Sequence, residues 1–149
     1  MDLMIQGHYL NQGEDLTDVL AVRKDIFGSG ADEKDAEAVN LLVSLIENAQ
    51  DEGILVGCGR LRMDIEEFRF YIDDLGICEP YRRKGLGEFA LRALVDRVNQ
   101  CGAERVYIER DQIRTETAEN FFRKMFFTAD PENDRLLTAT ITSFHTCCH

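Results

Sequence analysis

The strongest constraint on this chain is a strand, a glycine-containing turn, a helix and a second strand in direct succession between Phe68 and Glu109. Phe68 to Cys78 reads as a strand. Gly85 to Cys101 reads as an amphipathic helix, with Leu86, Ala90, Ala93, Leu94, Val98 and Cys101 on one stripe and Glu88, Arg92, Asp96 and Gln100 on the wet face. Gly102 ends it in a left-handed cap, and Glu104 to Glu109 follows as a strand with Val106 and Ile108 on one side. A crossover of this kind sets its two strands parallel. Upstream, Leu41 to Ile46 and Ile54 to Met63 read as strands joined by a turn at Asn48 to Gly53, and with Phe68 to Cys78 they form an antiparallel meander. The expected fold class is α/β with a mixed, mostly antiparallel sheet.

The remaining elements fit around that unit. Leu16, Val19, Leu20, Ile26 and Phe27, with the stem of Arg23, keep helical spacing from Leu16 to Phe27, and Asp15 or Thr17 would cap this helix. Gly28 to Asp32 is a loop, and a short helix is expected from Asp35. Thr115 to Phe126 is a helix burying Ala118, Phe121, Phe122 and Met125, and the Thr-rich stretch Leu136 to Phe144 reads as a closing strand. The 149 residues hold two prolines, no repeat and no linker-like stretch, so residues 1–149 are expected to form one domain. A chain of this length buries a core without disulfide or metal staples.

Charge narrows the function. Seventeen basic against 28 acidic residues leave a net charge of −11, which argues against a nucleic-acid partner and suits a cationic or amine one. No apolar run spans a membrane, and Asp2 stands where a secretory leader carries positive charge, so a cytoplasmic location is expected. Five cysteines, an odd number without a framework spacing, fit a reducing compartment, with Cys58, Cys78 and Cys101 as small hydrophobes. Cys147 and Cys148, flanked by His145 and His149, are poor joint ligands for one zinc ion, and no metal is expected. Oligomeric state stays open, a homodimer included.

The third strand carries an irregularity. Phe70 and Ile72 share a face, yet Leu75 and Ile77 are out of phase with them. One extra residue near Asp73-Asp74 restores all four to one face, as a β-bulge does; a turn between two shorter strands is the alternative. Gly57 and Gly59, inside the preceding strand, mark a second bulge or a close backbone approach.

A helix then begins at two glycines, Gly85 and Gly87, directly after the basic run Arg82-Arg83-Lys84. Helix starts present unpaired N–H groups, and glycines let an anion reach the main chain. With three added charges this segment suits a pyrophosphate. Gly85-Leu86-Gly87-Glu88-Phe89-Ala90 also fits the G-x-G-x-x-A dinucleotide fingerprint, with Glu109 near its acidic position. Too little chain follows Gly87 for a doubly wound fold, however, and a meander precedes it.

The segment resembles the GNAT (Gcn5-related) N-acetyltransferases, whose acyl-coenzyme A signature R/Q-x-x-G-x-G/A after a bulged strand is fitted by Arg82 to Gly87. Leu75-Gly76-Ile77, Glu79-Pro80-Tyr81, Arg23 to Phe27, Asp35 to Leu42 and Val56 to Arg62 are similar to that family in weaker form. The resemblance implies a parallel pair splayed by the bulge and acetyl-coenzyme A as co-substrate. It implies that the amides of Arg83, Lys84, Gly85, Leu86 and Gly87 hold the pyrophosphate. It further implies that the pantetheine arm lies in the splay beside Leu75 and pairs with backbone groups of Ile77, while Arg82 opens the signature.

Transfer to an amine needs a base, because an alkyl ammonium of pKa about 10.4 is neutral only about once in 10³ molecules at pH 7. Asp73 and Asp74 at the bulge are the nearest candidates; Ile72 to Leu75 is similar to the I-E-D-V stretch of the glucosamine-phosphate acetyltransferase branch, and Glu109 is a third, through water. A backbone N–H near Ile77 would polarise the thioester carbonyl. Many family members place a thiolate-protonating Tyr where this chain has Phe122, with Phe126 at a usual Gly and Thr115 at a usual Asn. Water, Tyr71 or Tyr107 would then serve, or catalysis is absent. The expected activity is acetyl transfer from acetyl-coenzyme A to a primary amine of a small molecule or peptide by direct attack. A silent acyl-coenzyme A sensor and a dinucleotide enzyme are the alternatives.

Overall fold

The computed structural model describes residues 3–47 and 53–145. Seven strands form one sheet: β1 (Met4–Leu10), β2 (Ala38–Ile46), β3 (Ile54–Asp64), β4 (Arg69–Ile77), β5 (Arg105–Glu109), β6 (Thr128–Ala129) and β7 (Leu136–Thr140), in the order β1-β2-β3-β4-β5-β7-β6. Four helices accompany them: α1 (Thr17–Phe27), α2 (Leu86–Gln100), α3 (Glu116–Lys124) and α4 (Ile141–His145). All strand neighbours are antiparallel except β4 and β5, the two joined through α2. Most of the expected first turn, and the tail beyond His145, lie outside the described residues.

Two apolar layers sandwich the sheet. Leu86, Ala90, Leu91, Leu94, Val95 and Val98 of α2 pack with Phe122 of α3 and Phe144 of α4 on Leu41, Val43, Leu61, Ile72, Val106 and Ile108. Truncating one of the fully buried leucines, Leu91 or Leu94, to alanine costs on the order of 2–5 kcal/mol. Val19 and Val22 of α1 cover the other face with Leu10, Leu42, Cys58 and Cys78. Burial pushes the Cys58 thiol up to about 12, so it is an inert packing group.

The β4 irregularity is a bulge. Cys58 pairs with Gly76 and Arg60 with Asp73, so Gly59 alone stands opposite Asp74 and Leu75. Asp74 takes the extra position with φ +48°, a left-handed conformation that aspartate tolerates better than most residues. The bulge returns Ile77 to the face of Phe70 and Ile72. Gly59 has no room for a side chain, since a Cβ there would lie 2.9 Å from Leu94 Cδ1 and 3.2 Å from Leu75 Cδ1. A second bulge falls between Val43 and Ser44, opposite Leu55 to Gly57 of β3.

Two expectations are corrected, one strand is added and one alternative is excluded. Met4–Leu10, to which no element is assigned above, forms an edge strand; its mostly exposed residues lack the alternation that marks a half-buried strand. The turn from Asp35 is a short 3-10 helix, Glu33–Glu37, closed by a capping box between Asp32 and Asp35. The closing strand stops at Thr140, and Ile141–His145 forms a helical turn that buries Ile141 and Phe144. The doubly wound dinucleotide architecture is absent, because β4 and β5 are the only parallel neighbours in the described sheet.

Candidate active site

The parallel pair barely exists as a ladder. Tyr71 opposite Tyr107 is its single register pair, and beyond it the bulge turns β4 away from β5. A cleft opens there, lined by Ile72, Asp74, Leu75, Ile108, Ile113 and Phe122, with Phe27, Ser29, Gln112 and Arg114 at its sides. A second, more polar pocket is lined by the Ser29–Asp32 loop, Lys34, Arg60, Asp74, Glu109, Asp111, Gln112 and Arg114. Ser29, Asp74, Gln112 and Arg114 belong to both, so the two pockets meet at these side chains.

A buried ion network supports that junction. Arg23, whose side chain is 1% exposed, donates from Nη1 and Nη2 to Asp35 at 2.8 and 2.9 Å and from Nη2 to Asn40 Oδ1 at 2.5 Å. Arg60 donates to Asp32 at 2.7 Å and to Asp73 through Nε at 3.2 Å. Arg62 donates to Asp73 Oδ2 at 2.6 Å, bonds Glu109, and stacks 4.5 Å above the Tyr71 ring. Sequence reading assigned Arg23 only an aliphatic role. Its partners are remote in sequence, and the signal available was the presence of arginines within otherwise buried stretches.

The three candidate carboxylates differ. Asp73 is fully buried; Oδ2 accepts from Arg60 and Arg62, and Oδ1 accepts from Gln112 Nε2 at 2.7 Å. Asp74, 27% exposed at its side chain, lies 3.7 Å from Arg23 Nε and 3.6 Å from Arg60 Nη2, both beyond hydrogen-bond length. Burial raises its carboxyl above the ordinary value, and the two guanidiniums offset this only in part. Glu109 lines the polar pocket but is held by Arg62.

The turn before α2 has the form of an anion nest. Arg83 (φ +66°) and Gly85 (φ +80°) are both left-handed, and α2 has no side-chain cap. The first helical bond runs from Phe89 N to Gly85 O, so the Leu86, Gly87 and Glu88 amides have no partner within the helix. A Cβ at Gly87 would meet Phe121 at 3.6 Å, ordinary contact, and Gly85 has nothing within 4 Å. Neither glycine is demanded by internal packing. Arg82 turns back and donates from Nε to Ile77 O at 2.8 Å, occupying one lone pair of that carbonyl. Leu75 lines the cleft, and Lys84 stands 5.8 Å above the Tyr81 ring.

Phe122 also lines the cleft, stacked edge-on against Phe121 and Phe127. Tyr71 and Tyr107 line neither pocket. Thr115 caps α3 by accepting from Ala118 N at 3.1 Å. Phe126, at the usual Gly, has φ +77°, the conformation glycine favours, and its ring packs on Phe144.

A mixed sheet opened at its parallel pair, with an uncapped glycine helix start beside the opening, defines the acyl-coenzyme A N-acyltransferase fold. Residues 16–127 match the Acetyltransferase (GNAT) family, and the chain belongs to that family. It is 27% identical over 93 residues to the uncharacterized N-acetyltransferase CgeE of Bacillus subtilis (strain 168), covering 62% of this chain and about a third (34%) of that protein. Among solved structures, the ribosomal-protein-S18-alanine N-acetyltransferase of Escherichia coli superposes with TM-score 0.67 at 15% identity, covering 93% of this chain and 94% of that one. A GNAT family acetyltransferase from Elizabethkingia anophelis with acetyl-CoA bound gives 0.66 at 15% identity, covering 91% and 97%. N-acetylglutamate synthase of Neisseria gonorrhoeae, complexed with coenzyme A and N-acetyl-glutamate, gives 0.62 at 18% identity, covering 93% and 35%. At these identities the structural likeness speaks for the fold. Among the described residues no helix is long and apolar enough to cross a membrane.

Proposed function

We propose that this chain transfers an acetyl group from acetyl-coenzyme A to a primary amine, with Asp74 as the general base. The observation that carries the reading is the position of Asp74: its partly desolvated carboxylate borders both the cleft beside Leu75 and the polar pocket. The nest at Arg83 to Gly87 fits a diphosphate, because its amides lack internal partners and its glycines leave the space open. Lys84 and Arg83 add charge beside it. The thioester end then belongs in the cleft, and the amine in the polar pocket.

Asp74 takes one proton from the bound ammonium, and the freed nitrogen lone pair attacks the acetyl carbonyl carbon. Collapse breaks the carbon–sulfur bond and releases the thiolate; the nitrogen passes its second proton to water, and the thiolate takes one proton from that same water. Asp73 is the weaker candidate for the base, since all its bonding serves Arg60, Arg62 and Gln112. It orients the network. Glu109, tied to Arg62, serves through water at most.

Phe122 keeps a second reading in view, that of an acyl-coenzyme A sensor, because the cleft-lining ring has no proton to give. Calorimetric titration with acetyl-coenzyme A, followed by a free-thiol assay over a panel of primary amines, separates the two. Amine-dependent thiol release supports the enzyme. Binding without any such release supports the sensor, and no binding refutes both.

A further inference from the structure

We infer that the acceptor is a small zwitterionic amine of the amino-acid type, its ammonium group held at Asp74 and its carboxylate at Arg114. The inference rests on the acetyltransferase reading above and adds the substrate class. The charge of the network argues for the ammonium. Three guanidiniums, Arg23, Arg60 and Arg62, stand against five carboxylates, Asp32, Asp35, Asp73, Asp74 and Glu109. A cation entering beside Asp74 reduces that imbalance.

Arg23 points the same way. Its Nε is buried without a hydrogen bond and faces Asp74 Oδ2 from 3.7 Å, too far to satisfy either group. The Asp74 carboxylate therefore retains capacity for a further donor on its exposed side. The guanidiniums behind it are held by Asp35, Asn40, Asp32 and Asp73 before any acceptor arrives.

Arg114 supplies the opposite charge. It lines both pockets alongside Asp74, and no ion pair or hydrogen bond of its guanidinium is found among the described residues. The other arginine lining these pockets, Arg60, is neutralised by four carboxylates, Asp32, Asp35, Asp73 and Asp74. An unpaired planar fork beside a desolvated carboxylate suits one ligand carrying both charges, with the arginine taking the carboxylate bidentately. A plain alkylamine leaves Arg114 unused.

The test uses the full chain, acetyl-coenzyme A, and a panel in which each amino acid is paired with the amine lacking its carboxylate. The ratio of kcat/KM for carboxylated over carboxylate-free acceptors is expected to exceed one for wild type. It should fall by about ten- to a hundredfold in Arg114→Gln, and Arg114→Lys should recover part of the loss. Affinity for acetyl-coenzyme A, measured separately by calorimetry, should stay within a few-fold in both variants. A ratio near one in wild type, a ratio unmoved by Arg114→Gln, or no carboxylated acceptor consumed by protein that binds the thioester each overturns the inference. Failure to bind acetyl-coenzyme A at all overturns instead the acetyltransferase reading beneath it.

Discussion

Asp73 and Asp74 share one guanidinium: Arg60 Nη2 lies 3.1 Å from Asp73 Oδ2 and 3.6 Å from Asp74 Oδ2. The bulge makes this possible. In a regular strand successive side chains point to opposite faces, but the left-handed Asp74 brings both carboxylates toward the same cation. One is buried and fully bonded, and the other is left half open at the meeting of two pockets.

Asp74→Asn is expected to lower kcat at neutral pH by about 10²–10⁴ without unfolding the protein. Asparagine also tolerates the left-handed backbone. Because the folded-state pKa is raised, ionisation of Asp74 costs stability as pH climbs from 3.8 through the raised value. The neutral variant should therefore melt slightly higher than wild type at pH 7. The acid limb of the kcat/KM profile, which wild type loses as pH falls through that same value, should vanish. Steady-state kinetics across pH with melting curves check both.

Asp73→Asn should do the reverse. It strands Arg60 and Arg62 beside an amide that accepts less and carries no charge. A cost of about 3–5 kcal/mol is expected from breaking such a buried pair. Urea unfolding should show the loss directly. A variant as stable as wild type would mean that the network carries no such energy.

Asp35 governs stability in acid. Burial alone would raise its carboxyl, but hydrogen bonds from Arg23 and the Asp32 amide, with the charges of Arg23 and Arg60, outweigh burial and hold it well below the usual range. Its contribution is present above the unfolded value near 3.8 and is lost as pH falls further, through the folded value. Asp35→Asn should be destabilised by about 3 kcal/mol at pH 7 and converge on wild type in strong acid. Unfolding measured between pH 7 and 2 tests the convergence.

These three residues also show where sequence reading stops. The bulge was legible because Phe70, Ile72, Leu75 and Ile77 all seek one face, and periodicity records that. The crossover was legible from the α2 stripe and its glycines. The ion network was not. Arg60 meets Asp32, 28 positions away, and Arg62 meets Glu109, 47 positions away, and no local pattern announces such pairs. The C-terminal turn was misread because Thr138, Thr140, Ile141 and Thr142 favour strands locally, whereas burial of Phe144 against α2 and Phe127 decides for a helix. The nest glycines were legible as an anomaly, and their open surroundings supply the reason.

Gly87→Glu should abolish measurable binding of acetyl-coenzyme A while leaving the melting temperature nearly unchanged, since its Cβ meets only Phe121 and Ile77 at ordinary contact distance. Gly85→Glu should remove binding too, but at a cost of about 1–2 kcal/mol, because φ +80° strains any side chain. Calorimetry and thermal melts on both variants separate loss of the nest from loss of the fold. Binding retained by a folded Gly87→Glu protein would place the diphosphate elsewhere.

Phe122→Tyr tests what becomes of the thiolate. The ring is buried between Phe121 and Phe127 and borders the cleft with Ile108 and Leu75, so an added hydroxyl at its tip is expected to project into the cleft. If the departing thiolate waits on a proton from water, a phenol of pKa about 10 beside it shortens that wait. The variant is therefore expected to raise kcat several-fold with KM for acetyl-coenzyme A nearly unchanged. The gain should fade at alkaline pH as the phenol ionises. An unchanged kcat would show that water already protonates the thiolate faster than the amine attacks. A fall in kcat with a lower melting temperature would show instead that the hydroxyl disturbs the packing of the ring against Phe121 and Phe127.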